Sequence, residues 1–192
     1  MIKLFLLSGK AESGKNAVGD IIKDFCRKEY GKDYTFASLA FADNVKDIAE
    51  SMGWDRVKDI KGRELLQNIG NSGRAYDRDI WVKMLFEKVK EYVDLFRYYP
   101  KGCNYIFCIT DVRFPNEVEK MHEYSDNLNL GIHVYNVRIE RPNFSNKLTE
   151  EQRKDVSEVS LDCYDKWDKV FINDKDLNSL KEDVFKWLKT LD

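Results

Sequence analysis

The sequence predicts an α/β fold in which helices cover both faces of a parallel sheet. Short apolar runs rich in β-forming residues alternate with segments whose apolar residues recur at helical spacing, which is typical of that class. The first apolar run leads through a glycine-containing turn directly into a helical segment. No repeat, low-complexity tract or linker rich in proline and glycine interrupts the 192 residues, so one domain spanning residues 1–192 is expected.

Five segments have the character of strands. Residues 1–7 are largely apolar, as expected for a strand that is buried on both faces. Residues 105–110 form a β-rich run that ends at Asp111, and residues 132–137 alternate between apolar and polar side chains. The predicted strands are residues 1–7, 34–39, 105–110, 132–137 and 169–172.

In six segments the apolar residues recur at the spacing of an α-helix. The apolar residues of segment 17–30 fall on one face, and Gly31 follows as a helix stop. The predicted helices are residues 17–30, 44–52, 63–69, 79–96, 116–124 and 177–191.

Glycines are also expected to end the next two helices, at Gly53 and Gly70. Met52 and Leu177 lie on apolar faces and are expected to point inward. Residues 142–155 are polar and mixed in sign, and they predict a mobile loop or flap.

Composition excludes several classes of function. The net charge of −2 gives no general attraction to nucleic acids or anionic membranes, so neither is expected as a partner. No apolar run is long enough to cross a bilayer, and the N-terminus lacks the features of a secretory signal. The four cysteines show no C-x-x-C spacing, which favours reduced thiols and a cytoplasmic location.

The stretch SGKAESGKN, residues 8–16, carries the most specific signal. Gly9-x4-Gly14-Lys15 matches the Walker A pattern except at its last position, Asn16. Small residues let successive N–H groups point at one phosphate, the following helix adds its positive end, and Lys15 supplies a cation to the β- and γ-phosphates. The residues expected to bind ATP in this segment are Gly9, Lys10, Ser13, Gly14, Lys15, Asn16 and Ala17.

Asn16 stands where a Ser or Thr hydroxyl would normally bind Mg²⁺. An amide oxygen can still reach the ion directly or through water, so Mg²⁺ is expected at Asn16 and Asp111. The stretch NDKD, residues 173–176, resembles a guanine-reading motif but has its lysine one place late, which argues against guanine specificity for the triphosphate.

Six stretches occur in the order found in one family of enzymes. They are SGKAESGKN, FADNVKD (41–47), RELLQNIG (63–70), DRDIWVK (77–83), TDVRFPNE (110–117) and FINDKDLNSL (171–180). Together they resemble the deoxynucleoside monophosphate kinases of bacteriophages and related bacteria, over nearly the whole chain.

The resemblance implies a P-loop nucleoside monophosphate kinase-like fold. Such a fold has a five-stranded parallel sheet flanked by helices, with the P-loop strand central. It would include a monophosphate-binding region at about residues 40–80 and a lid at about residues 141–160. The implied reaction transfers a phosphoryl group from ATP, with Mg²⁺, to a deoxynucleoside monophosphate. A monomer or homodimer that binds small molecules in the cytoplasm, or in the host cytoplasm if phage-encoded, is expected.

Four residues near predicted strand ends suit phosphoryl transfer. Ligands bind beyond the carboxyl ends of parallel strands, where Asp111 and Arg113 follow a strand. Asp111 could hold a magnesium-bound water or orient the acceptor, and Arg113 could bind the acceptor phosphate. The alternative is that Asp111 caps a helix and Arg113 forms a surface salt bridge.

Arg138 and Arg141 precede the flap. Arg141 matches the family's lid entrance and is expected to act with Lys15 and Arg113 in catalysis, whereas Arg138 is expected at the ATP.

By resemblance, a further group of residues contacts the acceptor. Arg63 and Gln67 are four apart and can face one cleft, although a solvated helix face remains the alternative. Phe41 and Trp81 could contact the acceptor or belong to the core. The residues expected at the acceptor are Phe41, Arg63, Gln67, Gly70, Arg74, Asp79, Trp81, Asp111 and Arg113.

Three positions depart from the family pattern. The family often has Asp at the position of Asn16, a basic residue at the position of Glu12, and His at the position of Asp155 in DVSE. Three alternatives to a deoxynucleoside monophosphate kinase stay open. They are a kinase for another small phosphorylated acceptor, a P-loop ATPase or switch acting on a macromolecular partner, and a module that binds nucleotide without turnover.

Overall fold

A computed structural model describes residues 1–96, 103–142, 144 and 148–191 of the chain. The chain divides into two compact units. The first combines Met1–Ser38 with Pro100–Asp192, and the second is Leu39–Tyr99. The single domain expected from the sequence therefore stays a prediction.

The first unit is built on a five-stranded sheet. Its strands are β1 (Ile2–Ser8), β2 (Tyr34–Leu39), β3 (Asn104–Val112), β4 (Ile132–Glu140) and β5 (Lys169–Ile172). The strand order is β2-β3-β1-β4-β5, and the pairs β1–β3, β1–β4 and β4–β5 are parallel. The predicted α/β class, the five-stranded sheet and the central place of the first strand are confirmed.

Strand β1 is central because its sequence is apolar on both faces. Leu4 to Leu7 are at most 1% exposed. The sequence of a strand that is buried on both faces is a continuous apolar run rather than an alternation of apolar and polar residues. The register places Ser8 opposite Val112 of β3 and Arg138 of β4. The segments that follow β1 and β3, and the last residues of β4, therefore lie at the same edge of the sheet.

Helices pack on this sheet through an apolar core. The helices of the first unit are α1 (Lys15–Tyr30), α5 (Pro115–Asn127), α6 (Glu150–Arg153), α7 (Val156–Val159) and α8 (Leu177–Leu188). Helix α1 contacts α8 and β3, and α5 contacts β4. The core includes Phe5 from β1, Ile22 and Phe25 from α1, and Val184 from α8. The helical faces predicted for α1 and for most of α8 are thus buried as expected.

The second unit consists of three mutually contacting helices. They are α2 (Phe41–Ser51), α3 (Ile60–Tyr76) and α4 (Ile80–Phe96). Trp81 is 3% exposed, and its indole N–H donates to the carbonyl of Gly70 at 3.0 Å. Among the described residues, no helix of either unit is long and apolar enough to cross a membrane.

Several sequence predictions of helices are wrong in detail. Helix α3 does not end at Gly70 but continues to Tyr76. Gly70 lies within the helix, where its carbonyl accepts from the indole N–H of Trp81, and Gly73 makes room for the indole ring. Met52 and Leu177 are 65% and 61% exposed, because Met52 is the C-cap of α2 and Leu177 is the first residue of α8.

The predicted flap and lid are described in part. The polar segment 142–155 contains the short helix α6, whereas residues 143 and 145–147 lie outside the described residues. Helix α1 begins at Lys15, two residues before the predicted start. This earlier start matters because it brings Lys15 into the first turn of the helix.

The close approach of α3 and Trp81 generates a test of the second unit. A Cβ atom added at Gly73 would lie 2.3 Å from the indole ring, whereas one at Gly70 would meet the tip of the Arg74 side chain at 3.3 Å. Gly73→Ala should therefore lower the free energy of unfolding by about 1–2 kcal/mol, since overpacking outweighs the gain in helix propensity. Gly70→Ala is the matched control and should be neutral or slightly stabilising in urea denaturation. A Gly73→Ala protein as stable as wild type would contradict this packing.

Candidate functional site

The turn between β1 and α1 has a backbone that demands its glycines. Gly9 and Gly14 have φ angles of 151° and 109°, and Glu12 also has a positive φ of 61°. A Cβ at Gly9 would lie 2.3 Å from the carbonyl oxygen of Ile139, and one at Gly14 would lie 2.6 Å from Nδ2 of Asn173. The turn is therefore curled tightly, and a non-glycine residue such as Glu12 in this conformation is typical of strained functional loops.

The start of α1 and the Lys15 ammonium both lie at this turn. Gly14 is the N-cap, and among the described residues no side chain caps this helix end. The first N–H groups of such a helix have no partners within the helix and attract anions. Lys15 Nζ folds back and donates to the carbonyls of Gly9 at 2.7 Å and Lys10 at 2.8 Å. The turn thus brings the uncapped start of α1 and one ammonium group together.

The electrostatic surroundings of Lys15 are unfavourable to its charge. The pKa of Lys15 is lowered from 10.5 to about 8, chiefly by burial and then by the positive charges of Arg113 and Arg138. Glu158 and Asp111 act in the opposite direction on the same pKa, and they do not compensate. A bound phosphate would supply the missing negative charge, since an anion near an ammonium group stabilises its protonated form.

Arg113 is positioned by a carboxylate four residues further along the chain. Glu117 is 3% exposed, and its Oε2 accepts hydrogen bonds from the backbone N–H groups of Arg113 at 2.7 Å and Phe114 at 3.0 Å. Phe114 is the N-cap of α5, so this carboxylate stabilises the helix start and fixes the chain directly after β3. The guanidinium of Arg113 is thereby fixed to the same sheet edge as the turn.

Helix α7 contacts the same turn through Glu158. The side chain of Glu158 is 8% exposed; Oε2 accepts from the N–H of Ala11 at 3.0 Å, and Oε1 forms an ion pair with Nη1 of Arg113. The Arg113 guanidinium also donates to the carbonyl of Ser157 at 3.3 Å. Lys10 Nζ donates to the backbone carbonyl of Glu158 at 2.6 Å. One carboxylate therefore joins a turn amide to the arginine at the end of β3.

Arg138 and Arg141 have different surroundings. Arg138 is 8% exposed, donates to Ser8 Oγ at 3.3 Å, and lies 3.4 Å from Oδ1 of Asp162. Asp162 also accepts from Lys10 Nζ at 2.6 Å, so this carboxylate contacts both Lys10 and Arg138, two of the residues predicted to bind ATP. Arg141 is exposed; its Nη1 lies 3.4 Å from the Glu12 carbonyl, and its guanidinium lies 3.8 Å from the ring centre of Phe144.

The residues expected to hold Mg²⁺ fit a site with few protein ligands. Asn16 is an exposed residue in the first turn of α1, and Asp111 is a half-buried carboxylate at the end of β3 that acts on the pKa of Lys15. Within the described part of the chain, no cluster of three or more His, Cys, Asp or Glu could hold a metal. Mg²⁺ in phosphoryl-transfer sites uses one or two protein oxygens with phosphates and waters, so these two residues suit it. Ser13 Oγ is buried and has no partner among the described residues.

The predicted acceptor residues, apart from Asp111 and Arg113, lie in the second unit. Phe41 and Trp81 are each 3% exposed, so the core position that the sequence leaves open for them is the one observed. Arg63 and Gln67 are exposed on α3, and Arg63 Nε donates to the carbonyl of Lys58 at 3.1 Å. The remaining three are Gly70, which is buried, and Arg74 and Asp79, which are half-buried. Their contact with an acceptor stays a prediction.

Four residues that contact the turn or Arg113 are absent from the predicted set. Glu117 stands in TDVRFPNE, and its position three residues after Phe114 is the signal that could reveal it. Glu158, Asp162 and Asn173 reach the turn or its lysine across more than 140 residues of sequence, and no spacing rule connects them. Asn173 Nδ2 donates to the Ser13 carbonyl at 2.9 Å, which makes the segment that follows β5 part of the support of the turn.

Comparison with known proteins establishes the fold. The structure is similar to that of the APS kinase CysC of Mycobacterium tuberculosis in complex with AMPPNP and APS, with a TM-score of 0.53, 13% identity and coverage of 98% of each chain. It is also similar to the tunicamycin resistance protein of Deinococcus radiodurans, with a TM-score of 0.52, 8% identity, and coverage of 98% of this chain and 96% of that one. The chain thus has the fold of the P-loop kinases.

Sequence relatives add little to this picture. No protein-family model matches the chain. An uncharacterized protein, ORF77 of Ictalurid herpesvirus 1 (strain Auburn), is 30% identical over 132 residues, which are 69% of this chain. The match covers 50% of that protein, so the chain spans about half the length of this curated relative.

The pKa of Lys15 generates a prediction about stability. The pKa is about 8 in the folded protein and 10.5 when unfolded, so the unfolded state binds more protons between these values. The free energy of unfolding of wild type should therefore rise with pH relative to Lys15→Met, by up to about 3 kcal/mol from pH 7 to 10. Chemical denaturation at several pH values measures this difference.

The exposed Lys32 provides the matched control. Lys32→Met makes the same side-chain change at an exposed position and is the reference against which the effect of Lys15→Met is measured. Parallel pH curves for wild type and Lys15→Met would show that Lys15 has an ordinary pKa and would remove the argument for a missing anion.

Proposed function

We propose that this protein transfers the γ-phosphoryl group of ATP to a deoxynucleoside monophosphate, forming ADP and the diphosphate. The observation that carries the proposal is the curled glycine turn, which places the Lys15 ammonium at the uncapped start of α1. The positive charges of Arg113 and Arg138 also act on Lys15 and lower its pKa. A cluster of cations around uncapped amides is what a polyphosphate needs. The order of six sequence stretches, matched to the deoxynucleoside monophosphate kinases, supplies the acceptor class.

Phosphoryl transfer requires alignment and charge neutralisation more than covalent participation by the protein. An oxygen of the acceptor's phosphate forms a bond to the γ-phosphorus as the bond from that phosphorus to the ADP oxygen breaks. In this proposal the turn amides and Lys15 bind the β- and γ-phosphates, and Arg138 neutralises further charge. Mg²⁺, held near Asn16 and Asp111, would supply charge neutralisation on the phosphate oxygens when bound.

Arg113 is proposed to bind the acceptor phosphate. It follows β3 at the edge where the turn begins, and Glu117 fixes its backbone. A planar guanidinium can offer two parallel donors to a phosphate, which sets both distance and orientation. Residues of the second unit would then bind the base and sugar, with Arg63, Gln67 and Arg74 as polar candidates.

The lid and the segment that follows β5 complete the proposed donor site. Arg141 reaches the carbonyl of Glu12 and would add positive charge to the transferring group while the lid limits water. The adenine would lie by the groove formed by Asn173 to Asp176 and the first turn of α8. Asn173 connects that groove to the turn through Ser13.

A second candidate is a kinase for another small phosphorylated acceptor. The similarity of fold to APS kinase favours it, because P-loop kinases of this fold serve different acceptors. In this case the phosphate-binding roles of Lys15 and Arg113 are unchanged, and the residues of the second unit would determine a different acceptor. A location in the cytoplasm of a cell or phage host fits either candidate.

An acceptor-dependence assay tests the function directly. Purified protein with ATP and Mg²⁺ should release ADP at least about 100-fold faster with one or more deoxynucleoside monophosphates than without an acceptor, since positioning drives the transfer. Coupled detection of ADP, with each of the four monophosphates and with APS, measures this. ADP release at the same slow rate with every deoxynucleoside monophosphate as with no acceptor would contradict the first candidate, and faster release with APS alone would favour the second.

Replacement of Lys15 separates enzyme turnover from contaminating activity. Lys15→Met should lose about 100-fold or more of kcat, because loss of a group that stabilises developing charge has this size of effect. The Lys32→Met protein is the control and should retain wild-type turnover.

Arg113 gives a prediction about the acceptor side. Arg113→Ala should raise the acceptor KM about 10-fold or more, since charged hydrogen bonds contribute about 1.5–3 kcal/mol, while the KM for ATP changes less. Arg27→Ala is the matched control, because Arg27 is an exposed arginine of α1 that pairs with Asp24. Unchanged acceptor kinetics in Arg113→Ala would show that this arginine serves the fold alone.

A further inference from the structure

The side chain of Glu158 binds the groups that the proposed function assigns to phosphates. Its Oε2 accepts the N–H of Ala11 in the turn at 3.0 Å, and its Oε1 pairs with the Arg113 guanidinium. With a side chain only 8% exposed, both oxygens are largely withdrawn from water and are used in these contacts. A carboxylate in this position satisfies an amide and an arginine as an anionic ligand would.

The same donors cannot serve a phosphate and Glu158 at once. A backbone N–H makes one strong hydrogen bond, and a phosphate near Ala11 and Arg113 would meet the negative charge of Glu158 at close range. The carboxylate also acts on Lys15, since its charge raises the pKa of that ammonium. Glu158 is therefore a negative charge already in place among the positive groups of the turn.

We propose that Glu158 is an internal competitor for the phosphate site, a carboxylate that the phosphates of the nucleotide displace from Ala11 and from Arg113. This inference rests on the proposed function, because it assigns the turn to a polyphosphate. Displacement of the carboxylate frees the Arg113 guanidinium at the moment the donor binds. Glu158 thereby links donor binding to the availability of the acceptor arginine.

The main chain around Glu158 explains how the carboxylate can leave without release of its helix. Lys10 Nζ binds the backbone carbonyl of Glu158 at 2.6 Å and Oδ2 of Asp162 at 2.6 Å. These contacts hold α7 and the following turn through groups other than the carboxylate. A change of side-chain rotamer is enough to remove Oε1 and Oε2 from the turn.

Binding measurements with Glu158→Gln test the competition. Gln keeps the shape and can still accept from Ala11, but it lacks the charge that opposes a phosphate. Glu158→Gln should bind AMPPNP and inorganic tripolyphosphate about 10-fold more tightly than wild type in calorimetry at low salt, the size expected for removal of one charged hydrogen bond. Glu182→Gln, at an exposed residue of α8, is the control for the same change of net charge and should stay within about twofold of wild type.

The outcomes separate this inference from the proposed function. Wild type that binds both anions, with Glu158→Gln binding equally or more weakly, would overturn the competition and leave the phosphate site intact. Absence of binding by wild type and by Glu158→Gln would overturn both. Binding by Glu158→Gln alone would support both.

A measurement on wild type keeps the test independent of variant folding. The carboxyl ¹³C resonance of Glu158 should move toward that of the exposed Glu182 when tripolyphosphate saturates the protein, because its contacts with Ala11 and Arg113 are lost. A resonance that stays in place at saturation would show that phosphate binds without displacement of this carboxylate, and the inference would fail.

Discussion

The register of β1 between β3 and β4 is the constraint on which the site depends. Ser8 lies opposite both Val112 and Arg138, so the turn after β1, Arg113 after β3 and the end of β4 meet at one edge. A shift of one residue in a parallel pair would exchange the two faces of β1 and move these groups apart. The apolar residues of the central strand therefore determine the position of the charged groups.

The charges at this edge are close to balance only because the chain supplies its own anions. Lys15, Arg113 and Arg138 are countered by Glu158, Asp111 and Asp162, yet the pKa of Lys15 remains lowered. Two backbone carbonyls hold the ammonium without neutralising it. In the proposed function a polyanion would supply the negative charge that these carbonyls lack, which is a physical reason for the turn to bind one.

Much of the fold could be predicted from the sequence, and the site only in part. All five strands follow from short apolar runs, and the turn follows from two glycines and a lysine at fixed spacing. Gly70 is harder to interpret, since a glycine within a helix, whose carbonyl accepts from Trp81, looks in sequence like one that ends a helix. Glu158 and Asn173 contact the turn across long sequence separations, and their partners follow from tertiary packing rather than from local pattern.

The division of the chain into two units separates two questions about function. The turn, Arg113, Arg138 and Glu158 all belong to the first unit, and the contacts that tie them together are contacts within it. The proposed phosphate site thus depends on geometry and charge within the first unit and is independent of the acceptor. The proposed acceptor depends on the predicted acceptor residues of the second unit and on the resemblance of sequence stretches. Since one fold can serve different acceptors, a change in the second unit could alter specificity while the phosphate chemistry stays the same. The proposed acceptor therefore depends on the sequence resemblance, whereas the proposed phosphate site at Lys15 and its turn does not.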